Sequence, residues 1–274
     1  MDQYCVFGNP IKQSRSPFIH QEFAKQTQQE INYQKQFVEL DEFSQAVTTF
    51  INLGGKGANV TMPFKEQALQ LCDQLSPAAK QAGAVNTLSF SDGKILGDNT
   101  DGIGLVQDLL AYGAILQESR ILLLGAGGAA KGVLLPLLNE NPTAIVIANR
   151  TVSKAEQLCL QFNDKRLQAC GFSEIPLQSF DLIINATSAS LSGGYPDISA
   201  QLIETDTVCY DMVYSKNLTP FLQWAKAQGA VKVFDGLGML VAQAAASFNI
   251  WRGYLPKTEL VINALKCELQ EGKQ

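Results

Sequence analysis

Histidine is almost missing from this chain: its 274 residues hold one, His20. The six cysteines, at 5, 72, 159, 170, 209 and 267, include no Cys-x-x-Cys pair. Without clustered imidazoles and thiolates a zinc site has no ligand set to draw on, and no metal is expected. Charge is sparse as well, at 17% of residues, with 26 acidic against 21 basic side chains and a net charge of −5. That balance speaks against a basic face for nucleic acid or anionic lipid, while leaving room for a small anionic ligand held by local donors. Long uninterrupted apolar runs are lacking too. The most apolar stretch, 121–138, is broken by glycines, Lys131 and Pro136, so no membrane span is read there. The opening Met1-Asp2-Gln3-Tyr4 has no basic region leading into an apolar one, so no secretory signal is expected. Scattered cysteines without a pairing pattern read as small core residues kept reduced, which points to the cytoplasm.

What is present suits two α/β cores. Apolar residues make up 46% of a chain longer than the usual single domain. The first part alternates short strands (4–7, 33–38, 57–61) with helical patterns (17–28, 43–53, 65–75), then a hairpin across Ser91-Asp92-Gly93. A helix over 101–112 bridges to a second half of repeating strands and helices. There, runs such as Ala144-Ile145-Val146-Ile147 and Leu182-Ile183-Ile184 predict a parallel sheet covered on both faces. Two tail helices, 238–250 and 256–270, are expected to return to the first domain. The predicted domains are therefore 1–101 plus 237–274, for substrate, and 102–236, a Rossmann-type domain for a dinucleotide.

The second assignment rests on Ile121-Leu122-Leu123-Leu124-Gly125-Ala126-Gly127-Gly128-Ala129-Ala130. A buried strand turns tightly through glycines into a helix, whose first N–H groups can face a pyrophosphate. At the end of the next strand, where an NAD site places Asp or Glu for the ribose 2′-hydroxyl, the chain has Asn149, Arg150, Thr151 and Lys154. Basic and hydrogen-bonding groups there attract a 2′-phosphate, so NADP(H) is the expected cofactor. Thr187 and Ser188 follow a third strand, at the sheet edge where ligands of open parallel sheets lie.

A dehydrogenase must also move a proton, and His20 reads as structural or surface rather than catalytic. The best acid–base candidates are Lys65, after Pro63, and Asp101, at the start of a helix. Around them in sequence stand hydroxyls and amides: Ser14, Ser16, Asn59, Thr61, Asn86 and Gln243. Such donors and acceptors suit a small polyhydroxylated carboxylic acid.

These motifs, in this order, closely resemble the shikimate dehydrogenase family: Ser14-Arg15-Ser16-Pro17, Asn59-Val60-Thr61-Met62-Pro63-Phe64-Lys65, Gly83-Ala84-Val85-Asn86-Thr87, Asn99-Thr100-Asp101-Gly102, the glycine turn, Asn149-Arg150-Thr151, Asn185-Ala186-Thr187-Ser188 and Asp235-Gly236-Leu237-Gly238-Met239. The resemblance implies reversible NADPH-dependent reduction of 3-dehydroshikimate, as in aromatic amino-acid biosynthesis, by a monomer or homodimer. It implies that Ser14, Ser16 and Tyr214 hold the substrate carboxylate and that Thr61, Asn86, Asp101 and Gln243 hold hydroxyls. Lys65 becomes the acid–base, and Met212, Gly236 and Met239 line the nicotinamide side. Two positions depart from the pattern. Lys154 stands where many relatives have Arg, losing a planar fork for phosphate, and Ser190 replaces a common glycine in the loop after Asn-Ala-Thr-Ser. An NAD-using quinate/shikimate dehydrogenase is expected to carry an acidic residue near Asn149.

Overall fold

Tyr4, Cys5, Val6 and Phe7 are all buried, so the first strand of the chain is covered on both faces. The computed structural model describes residues 1–271. That strand, β1 (Asp2–Gly8), is followed by α1 (Ser16–Thr27), β2 (Ile31–Phe37), α2 (Phe43–Asn52), β3 (Gly55–Val60) and α3 (Lys65–Leu71). Next come β4 (Gln74–Leu75), α4 (Pro77–Ala82), the hairpin β5 (Thr87–Ser91) and β6 (Lys94–Asp98), and α5 (Asp101–Ala111). Among the described residues these strands form a mixed sheet in the order β2-β1-β3-β5-β6-β4. Asp92 and Gly93 both take positive φ at the hairpin tip, the turn that Asp-Gly favours.

The second half runs β7 (Arg120–Leu124), α6 (Gly128–Asn139), β8 (Ala144–Ala148), α7 (Val152–Phe162), β9 (Leu167–Cys170) and β10 (Leu182–Asn185). It continues with β11 (Val208–Asp211), α8 (Pro220–Ala227) and β12 (Lys232–Asp235). Within the described residues every pairing in this sheet is parallel, in the order β12-β11-β10-β7-β8-β9. Ile121, Leu123, Ile145, Ile147, Leu182 and Ile184 belong to one core; Leu122, Leu124, Val146, Ala148, Ile183 and Cys209 belong to another. Alternate residues thus feed opposite faces, which explains why the strands read as continuous apolar runs. The tail forms α9 (Leu237–Arg252) and α10 (Glu259–Glu271). Among the described residues no helix is long and apolar enough to cross a membrane.

The chain divides into two compact units, Met1–Gly104 with the chain from Leu240 onward, and Leu105–Met239. Both boundaries fall a few residues inside α5 and α9, because each helix continues through the division. The tail helix expected from 256 begins at Glu259. The helix expected to reach residue 75 stops at Leu71: Cys72 is extended, and Asp73 exchanges hydrogen bonds with Ile95, so that Gln74 and Leu75 pair with β6. Helix α4 and strand β9 lie outside the sequence expectations. The Ser76-Pro77 start of α4 was nevertheless legible, since Ser76 Oγ accepts from Ala79 N at 3.1 Å and Pro77 occupies the first turn.

Candidate active site

Two helix starts bring the acid–base candidates together in the first unit. Lys65 opens α3 and Asp101 opens α5, where a carboxylate also complements the helix dipole. Val85 N donates to Lys65 O at 2.9 Å, and Asp101 N donates to Asn99 Oδ1 at 3.1 Å, which fixes both backbones. Lys65 Nζ donates to Asp101 Oδ2 at 2.6 Å. The two side chains keep 30% and 21% of their surface exposed, so a ligand can reach both, and the pair is not a sealed structural bridge.

Asn86 holds the other carboxylate oxygen, with Nδ2 at 2.8 Å from Asp101 Oδ1. Its amide cannot flip. Asn86 Oδ1 accepts from Thr100 N at 2.9 Å and from Thr87 Oγ1 at 2.8 Å, and a flipped NH₂ would meet the Thr100 N–H donor to donor. Asn86 Nδ2 also approaches Gln243 Oε1, at 3.3 Å. Lys65, Asp101, Asn86 and Gln243 are therefore one connected group. Ser14 and Ser16 join each other at 3.2 Å where the chain enters α1, and Thr61, half-buried, follows β3 with its N–H bonded to Phe7 O.

A deeper layer backs this group. Asn59, expected among the ligand-holding residues, is buried, and its amide is committed to the protein. Its Nδ2 donates to Asn86 O and Ser247 Oγ, and its Oδ1 accepts from Tyr33 Oη at 2.7 Å and faces His20 Nε2 at 3.1 Å. This corrects the expectation for Asn59: β3 points it into the core rather than toward the open groups. Thr87, Thr100 and Ser247 also belong to the layer and were missed. Ser247 sits one helical turn beyond Gln243 on α9, an i, i+4 spacing that could have exposed it.

His20 is fully buried and stacked on Tyr33, with ring centroids 4.2 Å apart. The Asn86 carbonyl can only accept, so it takes Asn59 Nδ2, leaving Oδ1 for His20 and the proton on Nε2. Burial lowers the His20 pKa from the usual 6.5 to about 3, against the raising effect of the Asn59 hydrogen bond. The unfolded chain then binds a proton that the folded chain refuses. This contribution to stability is complete above about pH 6.5 and is lost as pH falls toward 3, by about 2 kcal/mol at pH 5. With one histidine in the chain, its imidazole NMR signals are unambiguous. They are expected to stay unmoved from pH 7.5 to 5 while Tm declines, and a titration midpoint near 6.5 refutes the buried neutral ring.

The second unit presents the nucleotide features at one edge of its sheet. Gly125 takes φ +111°, a conformation that strains any side chain, and it packs against Ala186 and Thr187 in the loop after β10. Gly127 and Gly128 open α6, and a Cβ on either would meet nothing within 4 Å, so the space before the helix start is free for an anion. Ala126 is half-buried and Ala129 exposed beside them. After β8, Asn149 Nδ2 donates to Thr151 O at 2.8 Å, and Arg150, Thr151 and Lys154 are exposed around the start of α7. No carboxylate occupies this stretch of sequence, so these residues fit a 2′-phosphorylated dinucleotide. Thr187 bonds to Asn185 Oδ1 through both its N–H and its hydroxyl, and Ser188 is exposed next to it. Met212 and Tyr214 follow β11, half-buried, while Gly236 and Met239 are buried at the end of β12 and the start of α9.

A dinucleotide-type parallel sheet and an α/β unit bearing an ammonium–carboxylate pair, in one chain, define a two-domain dehydrogenase. Family models match three stretches: the shikimate dehydrogenase substrate-binding domain over 6–88, shikimate/quinate 5-dehydrogenase over 109–192, and the shikimate 5′-dehydrogenase C-terminal domain over 236–266. A curated relative, shikimate dehydrogenase (NADP⁺) of Colwellia psychrerythraea, is 63% identical over 98% of both chains. Among solved structures, shikimate 5-dehydrogenase from Thermus thermophilus, in complex with NADP(H) and shikimate, superposes with a TM-score of 0.87 at 32% identity, covering 98% of this chain and 100% of that one. An Ael1 enzyme from Pseudomonas putida superposes with a TM-score of 0.94 at 44% identity, covering 97% and 98%. The chain belongs to the shikimate dehydrogenase family and is an NADP-dependent oxidoreductase.

Proposed function

We propose that the chain interconverts 3-dehydroshikimate and shikimate with NADP(H), and that Lys65 and Asp101 move the proton. The observation that carries this reading is the 2.6 Å contact between Lys65 Nζ and Asp101 Oδ2, with Asn86 on the opposite carboxylate oxygen. NADPH, when bound, supplies the hydride to the keto carbon. The Lys65 ammonium gives its proton to the carbonyl oxygen, becomes an amine, and regains a proton from solvent. Asp101 aims the ammonium and accepts from a substrate hydroxyl, so the pair delivers its one proton to the oxygen that gains negative charge as the hydride arrives. Ser14, Ser16 and Tyr214 take the substrate carboxylate, and Thr61, Asn86 and Gln243 take its hydroxyls. The first unit is thus the substrate domain and the second the cofactor domain. All six cysteines are unpaired thiols, which supports a reducing cytoplasmic setting.

The cofactor reading is tested by kcat/KM for NADP⁺ and NAD⁺ with shikimate. NADP⁺ is expected to be clearly preferred, and equal efficiency overturns the assignment of Arg150 and Lys154. The double variant Arg150→Ala/Lys154→Ala is expected to raise KM for NADP⁺ roughly tenfold or more, since each loses a charge-assisted contact to phosphate. Its KM for NAD⁺ should hardly move. Replacing shikimate by quinate in the same assay tests the substrate, and equal turnover of quinate removes the shikimate assignment.

A further inference from the structure

Asp211, at the end of β11, is fully buried and enters no ion pair among the described residues. Neutral donors surround it instead. Oδ1 accepts from Asn185 Nδ2 at 3.2 Å and Val213 N at 3.1 Å, and Oδ2 accepts from Ser190 Oγ and Thr219 Oγ1, each at 2.6 Å. Asn185 ends β10, Ser190 lies in the loop leaving it, and Val213 and Thr219 lie in the segment leaving β11. Asn185 also accepts Met212 N through its carbonyl and Thr187 through its side chain. One carboxylate therefore sets where both loops stand, and the shortest contacts come from hydroxyls. Both hydroxyl contacts lie at the short end of the O–H···O range.

The strand order makes this position matter for the cofactor. From β7 the chain builds outward through β8 and β9 on one side and through β10, β11 and β12 on the other. A dinucleotide lies across the strand ends at such a reversal, one mononucleotide to each side. Arg150 and Lys154 stand on the β8 side, so the nicotinamide half falls to the ends of β10–β12, where Thr187 and Met212 are.

We propose that Ser190, acting through Asp211, is a positioning residue for the nicotinamide half of NADP(H). The inference rests on the NADP(H) reading of the second unit. Ser190→Ala removes one of the two short donors while leaving the adenosine side untouched. The loop after β10 then keeps its tie to Asp211 only through Asn185 at the strand end, and the seat of the nicotinamide half is less firmly preformed.

The experiment titrates wild type and Ser190→Ala with NADP⁺ and with adenosine 2′,5′-bisphosphate, which carries the 2′-phosphate and lacks the nicotinamide half. Ser190→Gly serves where the alanine variant does not fold, and Tm is recorded for each. Binding of NADP⁺ is expected to weaken by roughly 5- to 20-fold, with the bisphosphate unchanged within about twofold. A role in stability alone would lower Tm and leave both affinities alone. Unchanged NADP⁺ affinity, or equal weakening of both ligands, overturns the proposal. Failure of the wild type to bind the bisphosphate overturns the cofactor reading and the proposal with it, so the two failures are told apart.

Discussion

Lys65→Ala is expected to lower kcat by about 10²–10⁴-fold in either direction of the reaction, with KM for shikimate changed only modestly. The size follows from the role. A general acid contributes through the transition state, where the proton is in flight, and adds little to the ground-state binding proposed above for Asn86, Gln243 and Asp101. Asp101→Asn is a sharper probe of the geometry. Both carboxylate oxygens accept, one from Asn86 and one from Lys65, whereas an amide offers one oxygen and one NH₂. One of the two contacts must become donor against donor, so kcat falls in this variant too although its shape is preserved. Steady-state rates followed by NADPH absorbance decide the matter, and near-normal turnover of Lys65→Ala removes Lys65 from proton transfer.

Gly236→Ala should be damaging for a different reason. A Cβ at Gly236 would sit 2.2 Å from Met212 O and 2.7 Å from its carbonyl carbon. Those are backbone atoms that cannot swing aside, unlike the end of a flexible side chain. Either β12 leaves its register with β11 or the turn at Met212 moves by about an ångström, and with the nicotinamide seated there as proposed, a displacement of that size costs roughly 10²-fold in rate. Overpacking of this kind also costs about 1–3 kcal/mol of stability. The expected result is a lowered Tm together with a large fall in kcat/KM for NADP⁺. Wild-type kinetics and unchanged melting show that the turn has slack that the packing denies.

Where the sequence was legible, the physics was local. Gly125 announces a tight turn because a side chain at its φ of +111° is strained, and β7, β8 and β10 announce a doubly covered sheet because both alternating faces are apolar. Lys65 and Asp101 stood out because proline and helix-start patterns placed an ammonium and a carboxylate beside polar clusters. What escaped notice depends on partners far away in the chain. Asn59 reads like any polar residue near a site, yet its amide is used up by Tyr33, His20, Asn86 and Ser247. Ser190 reads as a loop oddity in place of glycine, and only its 2.6 Å contact with Asp211 gives it a purpose. Strand β9 is short and lies at the edge of its sheet, where half-exposed residues weaken the apolar pattern.

The unprotonated state of His20 has an effect on how acidity reaches this enzyme. Asn59, Thr87, Thr100 and Ser247 are uncharged at every ordinary pH, and the imidazole among them declines a proton down to about 3. The wall behind Lys65 and Asp101 is therefore electrically silent, and no ionisation there can bend the pH–rate curve. Acidification therefore reaches the site only from its open side, never through the layer that backs it.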